Sequence, residues 1–144
     1  MKSILLALDV ENFNEKLVSI SLDLCRQYDA KLWIIHVAPF PSDYLGKKDG
    51  PEYIRLTVAE ELEHEYSFLQ SLSERISGEK VEAEALLTGG EIVATIIEQA
   101  AKLDVGMIIT GVNRHGFIAN ALGGNTALEI IKRSKVPVMS IPLR

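Results

Sequence analysis

Closely spaced glycines mark one segment of the chain as a candidate ligand-binding loop. In "GVNRHGFIANALGGN", residues 111–125, they stand at Gly111, Gly116, Gly123 and Gly124. Glycine has no side chain, so a glycine-rich loop lets backbone amides approach a bound phosphate. Arg114 lies within the same segment and brings a cationic side chain into it. The chemistry that this pattern indicates is therefore phosphate binding.

The elements that must position this loop follow from the hydrophobic pattern. Five apolar segments have the length of strands, and segments of helical periodicity separate them. The strands are "SILLALDV", "AKLWIIHVAPF", "KVEAEALLTG", "VGMIITG" and "VPVMSIPL", and the helices are "NEKLVSISLDLCRQYD", "PEYIRLTVAEELEHEYSFLQSLSERIS", "GEIVATIIEQAAKLD" and "NTALEIIKRSK". This alternation predicts an α/β fold with a parallel sheet and helices on both faces. The third strand alternates apolar and polar residues, so we expect it near a sheet edge.

Ligands of such sheets bind beyond the carboxyl ends of the strands, where the strand order reverses. The candidates are residues at the ends of strands one, two and four, in the glycine-rich loop and at the start of the last helix. They are Ala7, Leu8, Asp9, Val37, Thr110, Gly111, Arg114, Gly116, Gly124, Asn125 and Thr126. His36 also stands at the end of strand two.

Composition limits the class of protein. The chain has 144 residues, of which 47% are hydrophobic and 24% charged, and this indicates one globular domain over residues 1–144. The net charge of -5 argues against nucleic acid or an anionic membrane as a partner. The first apolar segment ends in Asp9 without a cleavage site, so we expect a strand rather than a signal peptide, and a cytoplasmic protein. The single cysteine, Cys25, is expected to be buried filler.

Several segments together resemble the universal stress protein family. They are "ILLALD", "LWIIHV", "MIITGVNRHG", the "GGN" before the last helix and "KVPVMSIPL". The resemblance covers the whole chain. It implies a five-stranded parallel sheet of order 3-2-1-4-5, with the adenine nucleotide alpha hydrolase-like fold, and a dimer. It also implies a stress-response module that binds ATP or AMP, with an acid at the position of Asp9 near the adenine and ribose. The alternative is that Asp9 caps the helix or turn that follows it.

The nucleotide-binding branch of the family has a motif that this chain keeps only in half. That motif is a glycine, two residues, a second glycine, nine residues, then glycine and Ser or Thr. Gly111 and Gly124 match it, whereas Arg114 replaces the second glycine and Asn125 replaces the Ser or Thr. Arg114 either obstructs the phosphates or binds them, and Asn125 either caps the last helix or contacts a phosphate. Weak nucleotide binding and a defunct pocket on a dimeric interaction module therefore both remain open.

Catalysis and metal binding have little support in the sequence. A Walker lysine, or paired carboxylates for magnesium, would indicate phosphoryl transfer, and neither pattern is present. We therefore expect no enzyme, or at most a weak ATPase, and no metal. His36 has no second acid at a recognisable spacing and is predicted to be structural, while His64 and His115 lack companion ligands. The acidic run "AEELEHE" is predicted to be a solvated helix face.

The last strand is predicted to form a homodimer. Residues 136–143 are hydrophobic, carry Pro137 and Pro142, and lie at a sheet edge in the implied strand order. An open edge pairs with another chain unless it is blunted, and the residues between the prolines retain their amide donors. A monomer whose edge is blunted by the prolines is the alternative. The sequence does not identify the stress signal, any phosphorylation or a protein partner.

Overall fold

A parallel sheet of five strands organises the chain, as the sequence predicts. The computed structural model describes residues 1–38, 52–112 and 126–143, and for residues 52–59 it describes the helical backbone only. The strands are β1 (Ser3–Ala7), β2 (Lys31–Ala38), β3 (Ala83–Gly89), β4 (Ile108–Val112) and β5 (Val138–Pro142). The helices in the described ranges are α1 (Glu15–Tyr28), α2 (Glu52–Ser77), α3 (Ile92–Lys102) and α4 (Thr126–Arg133). A short 3-10 turn, Val10–Asn12, follows β1.

The strand order is β3-β2-β1-β4-β5, which confirms the predicted 3-2-1-4-5 sheet. All four pairings are parallel, and β1 lies in the centre between β2 and β4. The chain moves outward from β1 through β2 to β3 and then crosses to β4 on the other side. The order therefore reverses between β1 and β4, where a cleft opens at the carboxyl ends of the strands.

Both faces of the sheet are buried, because successive side chains of a strand point to opposite faces. Ile4 and Leu6 pack with α1 and α2 residues in one core layer, while Leu5 packs with α3 and α4 residues in the other. Each of these three side chains is fully inaccessible to solvent. Cys25 is also buried, as expected, and burial raises the pKa of its thiol to about 11.

The edge position of β3 is confirmed, and a cation covers its exposed side. Lys31 Nζ lies 2.6 Å from Glu84 Oε2 and 3.4 Å from Glu82 Oε2, and it stacks 3.8 Å from the centre of the Trp33 ring. The hydrogen bond from Lys31 to Glu84 raises the pKa of the lysine, with burial opposing it. These contacts cross from β2 to β3 and support the pairing at this edge.

Candidate functional site

A cavity of about 360 Å³ lies at the carboxyl ends of β1, β2 and β4, where the strand order reverses. Its wall combines residues from these three strands with residues from the turn after β1, from α1, α2, α3 and α4, and from the segment after β5. Ligand-binding pockets of proteins commonly begin at about 300 Å³. The cavity therefore has the position and the volume of a site for a small ligand.

Seven of the eleven predicted site residues line this cavity. They are Ala7, Leu8, Asp9, Val37, Thr110, Gly111 and Thr126. The other four, Arg114, Gly116, Gly124 and Asn125, lie outside the described residues. The residues at the strand ends are thus brought together as the topology predicts, with Thr110 buried and Thr126 at the first position of α4.

Asp9 is exposed at the rim, and its carboxylate caps the turn that follows β1. Its Oδ1 accepts a hydrogen bond from the amide of Glu11 at 3.1 Å, and its Oδ2 accepts one from Nδ2 of Asn12 at 2.6 Å. The sequence leaves open whether Asp9 is a cap or a ligand-binding acid. The structure shows the cap, and it also shows Asp9 on the cavity wall. The side chain is exposed, so its carboxylate stays solvated while it caps the turn.

The sequence did not anticipate a buried contact between His36 of β2 and Glu65 of α2, which both line the same cavity. His36 Nε2 lies 3.2 Å from Glu65 Oε2, and the two side chains are only 6% and 7% exposed. On the other side of the ring, His36 Nδ1 lies 3.1 Å from the Leu8 carbonyl oxygen and 3.3 Å from the Val10 amide. No acid stands at a recognisable spacing from His36 in the sequence, and the fold supplies Glu65 from a distant helix.

The prediction that "AEELEHE" is a solvated face is wrong at its last residue. Glu60, Glu61 and Glu63 are exposed, whereas Glu65 is buried. A signal was present in the spacing: Glu65 continues the stripe of partly or fully buried residues Leu62, Leu69, Leu72 and Ile76, which recur every three or four positions. A carboxylate on the apolar stripe of a helix faces the core, so it requires a buried partner.

Gly111 contacts Leu143 rather than open space. A Cβ atom at Gly111 would lie 2.6 Å from Leu143 Cδ1 and 3.0 Å from its Cγ. Leu143 is held beside β4 by its amide, which donates to the Val112 carbonyl oxygen at 2.8 Å. The packing of Leu143 therefore accounts for a glycine at position 111 without any phosphate.

The charged side chains of the described cavity wall are mainly acidic. Asp9, Glu11 and Glu65 line the wall together with His36, and in the described ranges no lysine or arginine does so. Within those ranges, too, no three His, Cys, Asp or Glu side chains converge as metal ligands. The glycine-rich loop has one lysine or arginine, Arg114, and that residue lies outside the described residues.

Comparison with known proteins identifies the relatives of this chain. The model of the universal stress protein family matches residues 1–142. The chain belongs to the universal stress protein family. This confirms the resemblance carried by "ILLALD", "MIITGVNRHG" and "KVPVMSIPL". Among curated proteins, no match is found.

Solved structures of the family share the fold at low sequence identity. A universal stress protein from Archaeoglobus fulgidus DSM 4304 matches with a TM-score of 0.71 and 20% identity. The match covers 99% of this chain and 44% of the Archaeoglobus chain. This chain therefore spans less than half of that protein. A universal stress protein from Archaeoglobus fulgidus in complex with dAMP has a TM-score of 0.65 and 19% identity, with 98% of each chain covered. A universal stress protein in complex with cAMP has a TM-score of 0.69 and 15% identity, covering 99% of this chain and 98% of its own.

Within the described ranges of this family member, none of the helices combines the length and the apolar composition that crossing a bilayer requires.

Proposed function

We propose that this universal stress protein binds an adenine nucleotide, AMP or ATP, in the cavity at the carboxyl ends of β1, β2 and β4. The observation that carries the proposal is the assembly of seven predicted site residues around one cavity of about 360 Å³. Family members in complex with dAMP and with cAMP support the choice of an adenine nucleotide. Apolar side chains such as Ile35, Val37 and Ile96 form part of the wall and suit a flat base.

The binding is expected to be weak, and weaker for a triphosphate than the family motif alone would imply. Three carboxylates lie on the described wall, and each added phosphate charge is repelled by them. Arg114 and Asn125 replace two motif residues that accommodate phosphates. We propose binding without efficient turnover, since the sequence lacks the Walker lysine and the magnesium-binding carboxylates of phosphoryl transfer.

Calorimetry with AMP and with ATP tests the proposal. Val112→Trp narrows the cavity from β4, and AMP affinity should fall by about tenfold or more, equivalent to about 1.4 kcal/mol. Ile131→Trp is the matched control, because Ile131 is 47% exposed on α4 and does not line the cavity. The proposal fails if neither nucleotide binds at millimolar concentration, and the assignment to this cavity fails if Val112→Trp binds AMP as the parent does. Mass spectrometry of protein purified without added nucleotide would identify a retained ligand.

A second function, as a dimeric interaction module, is supported by the open edge of β5. This strand pairs with β4 on one side, and it stands last in the sheet. The Pro137 carbonyl oxygen and the Leu143 amide bond to β4, so the alternate residues Val138 and Ser140 direct their backbone groups to the open edge. We propose that the same edge of a second copy pairs here, about a two-fold axis.

A further inference from the structure

The His36–Glu65 pair leaves polar atoms incompletely satisfied at the cavity. His36 Nε2 and Glu65 Oε2 are both inaccessible to solvent, and although they lie 3.2 Å apart, neither has a well-aligned hydrogen bond among the described residues. A buried polar atom in this condition is uncommon, because losing its hydrogen bond to water destabilises the fold. Buried polar atoms of this kind occur where strain, a functional role or a bound water or ligand accounts for them.

The contacts of the histidine ring assign a role to each partner. His36 Nδ1 either accepts from the Val10 amide or donates to the Leu8 carbonyl oxygen, according to its protonation, and a proton on Nε2 is directed at the Glu65 carboxylate. The backbone that follows β1 therefore holds the ring in place. An ionised carboxylate has about four acceptor positions, and one ring proton can occupy only one of them. Glu65 thus keeps the capacity to accept a hydrogen bond from a ligand.

We propose that Glu65 selects bases that carry an amino group, adenine in particular, by accepting a hydrogen bond from the exocyclic amine. The inference rests on the proposed nucleotide binding and adds the residue that recognises the base. Glu65 lines the cavity together with Leu8 and Leu17, which belong to the same core layer as α2 and offer apolar surface for the purine ring. His36 acts as a positioning residue, since its ring contacts the carboxylate and orients it.

Glu65 should distinguish purine nucleotides by the group that they carry at C6. In AMP this position carries an amine, which donates to a carboxylate. In IMP it carries a carbonyl oxygen, whose lone pairs face the negative carboxylate and repel it. A buried acceptor that loses its donor is expected to reduce affinity by about tenfold or more. Purine riboside monophosphate, which has only hydrogen at this position, should lie between the two.

Equilibrium dialysis of AMP, IMP and purine riboside monophosphate against the whole protein tests the inference. The parent protein should prefer AMP over IMP by at least about tenfold. Glu65→Gln presents both a donor and an acceptor in the same shape, so the preference should fall below about threefold. Glu63→Gln is the matched control, because it removes the same charge from an exposed position two residues away on α2. This control should retain the preference of the parent.

The outcomes separate the inference from the function on which it rests. Binding of AMP and IMP with equal affinity by the parent overturns the role of Glu65 but leaves nucleotide binding intact. Retention of the preference in Glu65→Gln also overturns it. Failure of all three nucleotides to bind overturns the proposed function and the inference together. Equal affinities in the parent overturn the inference without any variant, and circular dichroism of Glu65→Gln shows whether a lost preference comes from the side chain or from misfolding.

Discussion

His36 Nε2 and Glu65 Oε2 lie 3.2 Å apart between β2 and α2, and both side chains are almost completely buried. On its other side the ring lies within hydrogen-bond distance of the Leu8 carbonyl oxygen and the Val10 amide, so the pair connects β2, the segment after β1 and a helix at the cavity wall. A polar contact in this position contributes to the stability of the fold and places a histidine and a carboxylate on the cavity wall.

Removing one member of this pair should destabilise the protein more than removing both. Glu65→Leu leaves the buried Nε2 of His36 without its partner, and we expect the free energy of unfolding to fall by about 3 kcal/mol. The double variant His36→Leu with Glu65→Leu should recover part of that loss, because the buried Nε2 is removed together with the carboxylate, and the remaining loss reflects the backbone contacts of Nδ1. Urea denaturation measures both. Glu63→Leu, at an exposed position, should change stability by less than about 0.5 kcal/mol. A double variant less stable than Glu65→Leu would contradict this account.

The two roles of Asp9 can be separated by comparing two substitutions. Asp9→Ala removes the cap of the 3-10 turn and should cost about 1 kcal/mol of stability, whereas Asp9→Asn retains an acceptor oxygen and should cost only a few tenths. If the carboxylate also binds the ribose, both variants should bind AMP more weakly while remaining folded. Thermal unfolding and calorimetry give the two readouts. Loss of stability in Asp9→Ala with unchanged AMP affinity would show that Asp9 is a cap alone.

The contact between Gly111 and Leu143 should appear as coupling in a double-mutant cycle. Gly111→Ala places a Cβ atom against Leu143 Cδ1, so Leu143 must move, at a cost of about 1 kcal/mol. In a Leu143→Ala background the same substitution should cost less than about 0.5 kcal/mol. Urea denaturation of the four proteins in the cycle measures the difference. Equal costs in both backgrounds would mean that Gly111 is required for a reason other than Leu143.

The proposed β5 dimer should depend on a backbone donor at position 140. Ser140→Pro removes an amide that faces the open edge without disturbing the pairing to β4, so the dimer should dissociate. Ser140→Ala retains the amide and is the matched control. Light scattering at micromolar concentration distinguishes a dimer from the 15.9 kDa monomer. A monomeric parent protein would refute the dimer. If Ser140→Pro remains dimeric, the interface lies elsewhere. The same conclusion follows if the dimer persists in the double variant Val138→Lys with Met139→Asp.

Cys25 should react only when the protein opens. Burial raises the pKa of its thiol from 9.0 to about 11, so at pH 8 the folded thiolate fraction is about a hundredfold below that of the unfolded chain. The stability that the buried, protonated thiol contributes is fully present below pH 9. It decreases as the pH rises toward 11, because the thiol of the unfolded chain ionises first. A thiol reagent should therefore label native protein far more slowly than protein in urea. As the pH rises above 9, the free energy of unfolding of Cys25→Ala should fall less than that of the parent. Rapid labelling of the native protein at pH 8 would contradict burial of the Cys25 thiol.

The order of elements and the position of the cavity could be predicted from the sequence, because both depend on local patterns. The apolar residues of β1 require two covered faces, which the helices on either side provide. The end of β1 at Ala7, short of the predicted Val10, was less evident, since it depends on the cap that Asp9 supplies to the following turn.

The sequence by itself determined the α/β alternation, the doubly covered sheet and the strand ends that line the cavity, since periodicity and topology follow from neighbouring residues. Only the tertiary structure decided that Glu65 faces His36 and that Leu143 covers Gly111. The members of each pair lie far apart in the chain, and their contact depends on how a helix or a terminal segment packs across the sheet. Spacing can show that a carboxylate is directed toward the core, but packing alone determines its partner.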